Sequence, residues 1–196
     1  MKVYLIRHGE TTGDVENRYG GTYDDHLTER GQNSARDLAE KLADKNIEKL
    51  FSSPYFRAHE TAEILGRKLN LTPETINDLR ERNSYGILSG LTKTEAADKF
   101  PEEVLDVKDI HKTVPGAEDY SDFARRVENA LNNLAETNGG TIAIVTHGGP
   151  IKMVFRGILN KGEMETEDCA FAVLGNNNGK GWQLIDSDGI TEREQN

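Results

Sequence analysis

Two uninterrupted apolar runs, "VYLI" beginning at Val3 and "IAIV" beginning at Ile142, constrain this chain more than any other feature. A strand with one wet face alternates apolar and polar residues; these runs are apolar at every position and so read as strands covered on both faces. Each also ends in the same way. The first gives way to Arg7 and His8, the second to Thr146 and His147.

Between them the pattern switches to helical spacing. Ala35, Leu38, Ala39 and Leu42 follow Thr28, a suitable N-cap, and predict a helix to about Asp44. "EKLFSSP" reads as a short strand closed by Pro54, and Ala58, Ala62, Leu65 and Leu69 mark a helix over residues 55–70. "TINDLRE" reads as extended, and residues 86–118 as an irregular insertion with a short helix near "TKTEAADKF". Phe123, Val127, Ala130, Leu131 and Leu134 predict a further helix stopped by Gly139 and Gly140. "IKMVFRGIL" gives a last helix, and "CAFAVL" and "WQLI" flank a hairpin turn at 175–181. Strands alternating with helices imply one α/β domain over residues 1–196: a three-layer sandwich whose mostly parallel central sheet is flanked by helices. Ligands bind such sheets outside the carboxyl ends of the strands, where His8 and His147 fall.

Composition narrows the function. At 196 residues and 35% hydrophobic content the chain can bury one real core. Its net charge of -10 argues against broad nucleic-acid or anionic-membrane binding, which needs basic patches. No window approaches the roughly 18 apolar residues of a membrane span, and no signal segment precedes the first strand, so a cytoplasmic protein is expected. Cys169 is the single cysteine, which excludes an internal disulfide and argues against a thiolate zinc site. His26, His59 and His111 read as surface or loop histidines without zinc-ligand spacing.

The candidate chemistry lies along the proposed carboxyl edge: Arg7, His8, Arg57 just past "FSSP", Glu81 at the end of "TINDLRE", and His147. Guanidiniums match phosphate oxygens bidentately, and a neutral imidazole can attack phosphorus at cellular pH. Glu81 is the only member of the set able to give a proton to a departing alkoxide. Taken singly, Arg7 and His8 would as readily be an ordinary strand exit, His147 a satisfied buried histidine and Glu81 half of a surface ion pair. Arg57 in a first helical turn opposes the helix dipole, a local cost that a site role explains.

Four segments together, "LIRHGETTGDVENRYGG", "SSPYFRAHETA", "LRERNSYGILSGLTK" and "IVTHGGPIK", resemble the signatures of the histidine phosphatase superfamily, the branch of cofactor-dependent phosphoglycerate mutases and small phosphatases. The resemblance implies a phosphoglycerate mutase-like fold with His8 as the phosphorylated nucleophile. It implies that Arg7, Arg57 and His147 grip the phosphoryl oxygens, with Glu81 as proton donor. Asn17, Thr11, Tyr85 and Gly148 are the substrate-binding candidates. Neither metal nor cofactor is implied, because cationic side chains supply the electrostatic stabilisation.

Three departures separate the chain from the mutases. Asp14 stands where the family commonly has asparagine, one extra residue separates Glu81 from Tyr85, and "ADKFPEEVLDVKDIHKTVPG" lacks the adjacent arginine pair that holds phosphoglycerate. They favour a phosphomonoester hydrolase acting on a small phosphorylated metabolite. A mutase and a non-catalytic phosphate-binding member are the alternatives, and a monomer or a homodimer fits equally. "LIDSDGI" imitates an aspartate-nucleophile motif but lies too near the end of the chain, and Gly175 six residues after Cys169 excludes a cysteine phosphatase loop.

Overall fold

The continuous apolar run of β1 (Lys2–Arg7) is used on both faces: Val3 and Leu5 enter one hydrophobic layer, Tyr4 and Ile6 the other. The computed structural model describes residues 1–110, 112–176 and 181–193. After β1, Thr11 caps a single helical turn, α1 (Thr12–Val15), and the Thr28 hydroxyl caps α2 (Glu29–Leu42) by accepting the Gly31 N–H at 3.0 Å. Next come β2 (Lys49–Ser52) and α3 (Phe56–Leu69), which ends at Asn70 in the left-handed conformation (φ 56°). The two-residue β3 (Glu74–Thr75) leads to the insertion, with α4 (Lys93–Lys99) and α5 (Pro101–Asp106). The remainder is α6 (Tyr120–Thr137), β4 (Thr141–Thr146), α7 (Gly148–Met153), β5 (Met164–Asn176) and β6 (Trp182–Glu192).

The strands form one sheet in the order β3-β2-β4-β1-β5-β6. The first four run parallel and the last two antiparallel, so the sheet is mixed with a parallel majority. Phe123, Val127 and Leu131 of α6 cover Val3, Leu5, Ile142 and Ile144 on one face. Leu38 and Leu42 of α2 and Ala58, Ala62 and Leu65 of α3 cover Tyr4, Ile6, Ala143 and Val145 on the other. These are the three layers the pattern predicts. The small residues of α3 let that helix lie close to the sheet, and burial of each large apolar side chain contributes about 1.5–3 kcal/mol.

Several local expectations change. "TINDLRE" is not extended beyond Thr75, because Asn77–Leu79 close a 3-10 turn, and Glu81 lies on the irregular exit from it. Asn77 and Asp78 are turn formers, and that local preference prevails over the apolar residues beside them. α6 starts three residues before Phe123, capped by Asp119, which accepts the Ser121 N–H at 2.7 Å, and stops at Thr137 ahead of the glycines. The last helix starts at Gly148 and widens into a π-helical turn over Val154–Ile158. The terminal hairpin is longer than its apolar centre suggests, and part of its turn, like His111, lies outside the described residues. The insertion has a small core of its own, in which Phe100 and Val104 pack on Tyr19, Leu88 and Ala96. Among the described residues no helix is long and apolar enough to cross a membrane.

Candidate active site

β1 and β4 are neighbours in parallel register, Arg7 opposite Thr146, so both histidines leave the sheet at the same level. The two rings lie edge to face, 5.0 Å between centroids. His8 forms the floor of a cleft of about 400 Å3 that also meets Arg7, Arg57, Glu81, Tyr85 and Gly148. The Nδ1–H of His8 donates to the Gly9 carbonyl at 2.8 Å. Since a carbonyl can only accept, the proton is on Nδ1, and the neutral ring keeps its lone pair on Nε2. Burial, with the charges of Arg57 and Arg7, holds the His8 pKa well below the ordinary histidine value of 6.5. The ring is therefore neutral over the physiological range, with an unprotonated nitrogen available to a ligand.

His147 has the opposite arrangement. It is fully buried and absent from the cleft wall, with both nitrogens engaged inside the protein. Its Nδ1 accepts the Arg57 Nε–H at 3.2 Å, so Nε2 carries the proton and donates to Ser53 Oγ at 2.7 Å. Burial and the Arg57 charge push its pKa well below 6.5 as well. In this structure His147 holds a guanidinium, and a further grip on phosphoryl oxygens stays an expectation.

Arg57 is turned inward too. Besides His147 it donates to the Tyr23 carbonyl at 2.7 Å, the Asp25 carboxylate at 3.3 Å and the Gly21 carbonyl at 3.1 Å. Four of its five N–H groups are thus committed to the protein, while Arg57 also lines the cleft beside His8. Arg57 fastens the 21–25 loop over the histidines. Arg7 lines the cleft while donating to the Thr166 carbonyl and pairing with Asp168 at 3.3 Å.

The opposite wall carries Glu81. Its carboxylate accepts the Arg82 N–H at 2.7 Å and the Gly149 N–H at 3.0 Å. A Cβ at Gly149 would come within 2.0 Å of Glu81 Oε1, so a larger residue there would have to displace the carboxylate from this position. Residues 81 and 149 are 68 positions apart, and the hydrogen bond between them joins the segment after the 3-10 turn to the segment after β4.

Of the remaining candidates, Thr11, Tyr85 and Gly148 line the cleft. Asn17 does not. It is exposed, adopts φ 54° and ends the α1 turn, its N–H donating to the Asp14 carbonyl at 3.1 Å. Asn17 thus has a turn-forming role in this structure. Asp14, the residue most at odds with a phosphate site, closes a capping box: its carboxylate accepts the Thr11 N–H at 3.0 Å and hydroxyl at 2.9 Å. Its charge is engaged at the start of α1, although Asp14 also lines the cleft beside Thr11 and Gly13.

Sequence reasoning missed Lys152 and Arg156, which enter the cleft from the segment after His147. Their i, i+4 spacing behind a strand-end glycine pair was a usable signal. Arg156 pairs with Glu163 and donates to the Tyr120 hydroxyl at 2.8 Å. Lys152 is half-buried, and desolvation followed by the Arg7 charge lowers its pKa. It also missed Arg82, whose guanidinium donates to the carbonyls of Ile110 and Glu118 and ties the insertion to the site. Among the described residues no group of three or more His, Cys, Asp or Glu is placed to hold a metal ion.

Comparison with known proteins identifies relatives of the chain as a whole. Residues 3–180 match the family model "Histidine phosphatase superfamily (branch 1)". A bifunctional protein of Mycobacterium tuberculosis is 35% identical over 164 residues, 82% of this chain but 45% of that protein, so the chain spans under half the length of this relative. A metal-independent phosphoserine phosphatase of Arabidopsis thaliana is 32% identical over 79% of this chain and 67% of its own. A 2,3-bisphosphoglycerate-dependent phosphoglycerate mutase of Mesorhizobium japonicum is 32% identical over 80% and 81%. Among solved structures, Bacillus stearothermophilus YhfR superposes with a TM-score of 0.85 at 26% identity, covering 94% of this chain and 95% of that one.

Proposed function

The chain belongs to the histidine phosphatase superfamily (branch 1), and from that footing we propose that it hydrolyses the phosphomonoester of a small metabolite through a phosphohistidine at His8. The observation that carries this reading is the tautomer of His8: Nδ1–H is tied to the Gly9 carbonyl and Nε2 is left unprotonated in the cleft.

In the first step the Nε2 lone pair forms a bond to phosphorus as the ester P–O bond breaks. Protonated Glu81 gives its proton to the leaving oxygen, so the alcohol departs neutral. In the second step Glu81 takes a proton from water, the resulting hydroxide attacks phosphorus, and the P–N bond returns its electron pair to Nε2. Arg7 and the cationic cleft stabilise the charge spread over the phosphoryl oxygens, and Arg57, held by His147, keeps the 21–25 loop closed against the nucleophile. Transfer to a second hydroxyl instead of water is the mutase reading, supported by the similarity to the Mesorhizobium japonicum enzyme. The missing arginine pair in the insertion favours water.

The test is turnover of a panel of phosphorylated metabolites in the presence of a metal chelator, with His8→Ala as control. Release of inorganic phosphate and an acid-labile label that is absent from the variant are expected. Interconversion of phosphoglycerate isomers without phosphate release would establish the mutase, and tight phosphate binding without turnover would establish a non-catalytic member.

A further inference from the structure

Four consecutive backbone carbonyls bring the chain to the Glu81 side chain, and each is taken by a side chain from elsewhere. Arg126 of α6 donates through Nη1 to Asp78 O at 2.8 Å and Arg80 O at 2.9 Å, and through Nη2 to Glu81 O at 3.2 Å. The fourth carbonyl, of Leu79, accepts the buried Thr146 hydroxyl at 2.6 Å. Arg126 is itself fixed by Glu118, which accepts from Nε at 2.7 Å and Nη2 at 2.8 Å, and its guanidinium lies 5.0 Å from the centre of the Phe123 ring. Neither Arg126 nor Glu118 lines the cleft, so they act on a substrate only through neighbours: Glu81, whose backbone they hold, and the cleft residues Arg82 and Phe123 that they touch.

We propose that Arg126, locked by Glu118, is the positioning residue of the general acid: its planar fork fixes the backbone at 78–81 and so sets where the Glu81 carboxyl meets the leaving oxygen. This rests on the reading of Glu81 as proton donor. A lysine offers one compact donor group in place of three separated bonds and would let the segment rotate. Misplacement of a reacting group by about 1 Å costs on the order of a hundredfold in rate. Burial pushes the Glu118 carboxyl up, but the hydrogen bonds and charge of Arg126, with Arg80, outweigh it and hold it below the ordinary glutamate value, so the pair stays charged.

The test compares kcat/KM on two esters, para-nitrophenyl phosphate, whose phenolate departs without a proton, and glycerol phosphate, whose alkoxide needs one. Arg126→Lys should lose about a hundredfold on glycerol phosphate and no more than about threefold on the nitrophenyl ester. Glu81→Gln should show the same split, and adding Arg126→Lys to Glu81→Gln should cost little more. Equal losses on both esters, or additive losses in the double variant, overturn the proposal. Where Glu81→Gln shows no split, or the wild type turns over neither ester, the proton-donor reading fails and takes this one with it. Where Glu81→Gln splits and Arg126→Lys does not, only this proposal falls. If circular dichroism shows Arg126→Lys unfolded, Glu118→Gln carries the same comparison, and the absence of a split there overturns it.

Discussion

The segments after β1 and after β4 start from the same place and diverge. Both offer a histidine at the carboxyl end of a buried strand, in adjacent parallel positions, and both rings are kept neutral by burial and by Arg57. Past His8 the chain runs on as irregular backbone to Thr11, and the Gly9 carbonyl accepts the hydrogen bond of the ring Nδ1–H. Past His147 it enters α7 directly, and the ring is clamped between Arg57 and Ser53. Identical side chains in equivalent positions thus differ in which nitrogen is protonated. Their partners, and not their burial, separate the ring proposed as nucleophile from the ring that holds an arginine.

Exchange of roles would break that contrast most directly. His8→Ala should lose about 10⁴-fold or more in turnover, and label from substrate should vanish from the protein. His147→Gln should lose less, about a hundredfold, and retain acid-labile label on His8. A label that shifts to residue 147 in the wild type, or a deeper loss at 147 than at 8, would reverse the assignment.

Arg57 is shared by both halves, so its removal tests whether they are coupled. Arg57→Ala strands the Gly21 and Tyr23 carbonyls and the buried Asp25 carboxylate, and should destabilise the fold by about 3 kcal/mol in denaturant titration. Loss of activity with unchanged stability would point instead to an arginine that serves only the substrate.

Acid should weaken the fold through both histidines. Each has a folded pKa below its unfolded value of 6.5, so the unfolded chain binds more protons as pH falls past that value, and stability declines there. The slope is at most about 1.4 kcal/mol per pH unit for each ring. His147→Gln should remove one contribution to that slope, and an unchanged slope would show that His147 is not buried as a neutral base. The smallest effect belongs to the turn after β1: Asp14→Ala, which removes half of a capping box, should cost about 1 kcal/mol in thermal unfolding.

What the chain reveals before folding follows the same division. The strand ends at 7–8 and 146–147 are legible because a continuous apolar run needs only local information, and the amphipathic helices α2, α3 and α6 are legible for the same reason. Glu81 was legible as a residue and not as a conformation, since the segment that carries it is fixed by Arg126, 45 positions away. Asn17 was ambiguous because a left-handed turn and a phosphate ligand both favour asparagine. The inward set of Arg57 and the full occupancy of His147 depend on carbonyls of the 21–23 loop and on Ser53, partners that no spacing rule names.

The parallel pairing of β1 with β4 also acts as a ruler. Strands in a sheet repeat every 4.7–4.9 Å or so, and the two imidazoles stand 5.0 Å apart, one on each rung. The backbone interval between the two positions is metred by main-chain hydrogen bonds, and the side-chain partners of each ring set its orientation on that interval. Drift in the surrounding loops can retune what approaches the pair, while the backbone spacing between them is inherited from the ladder itself.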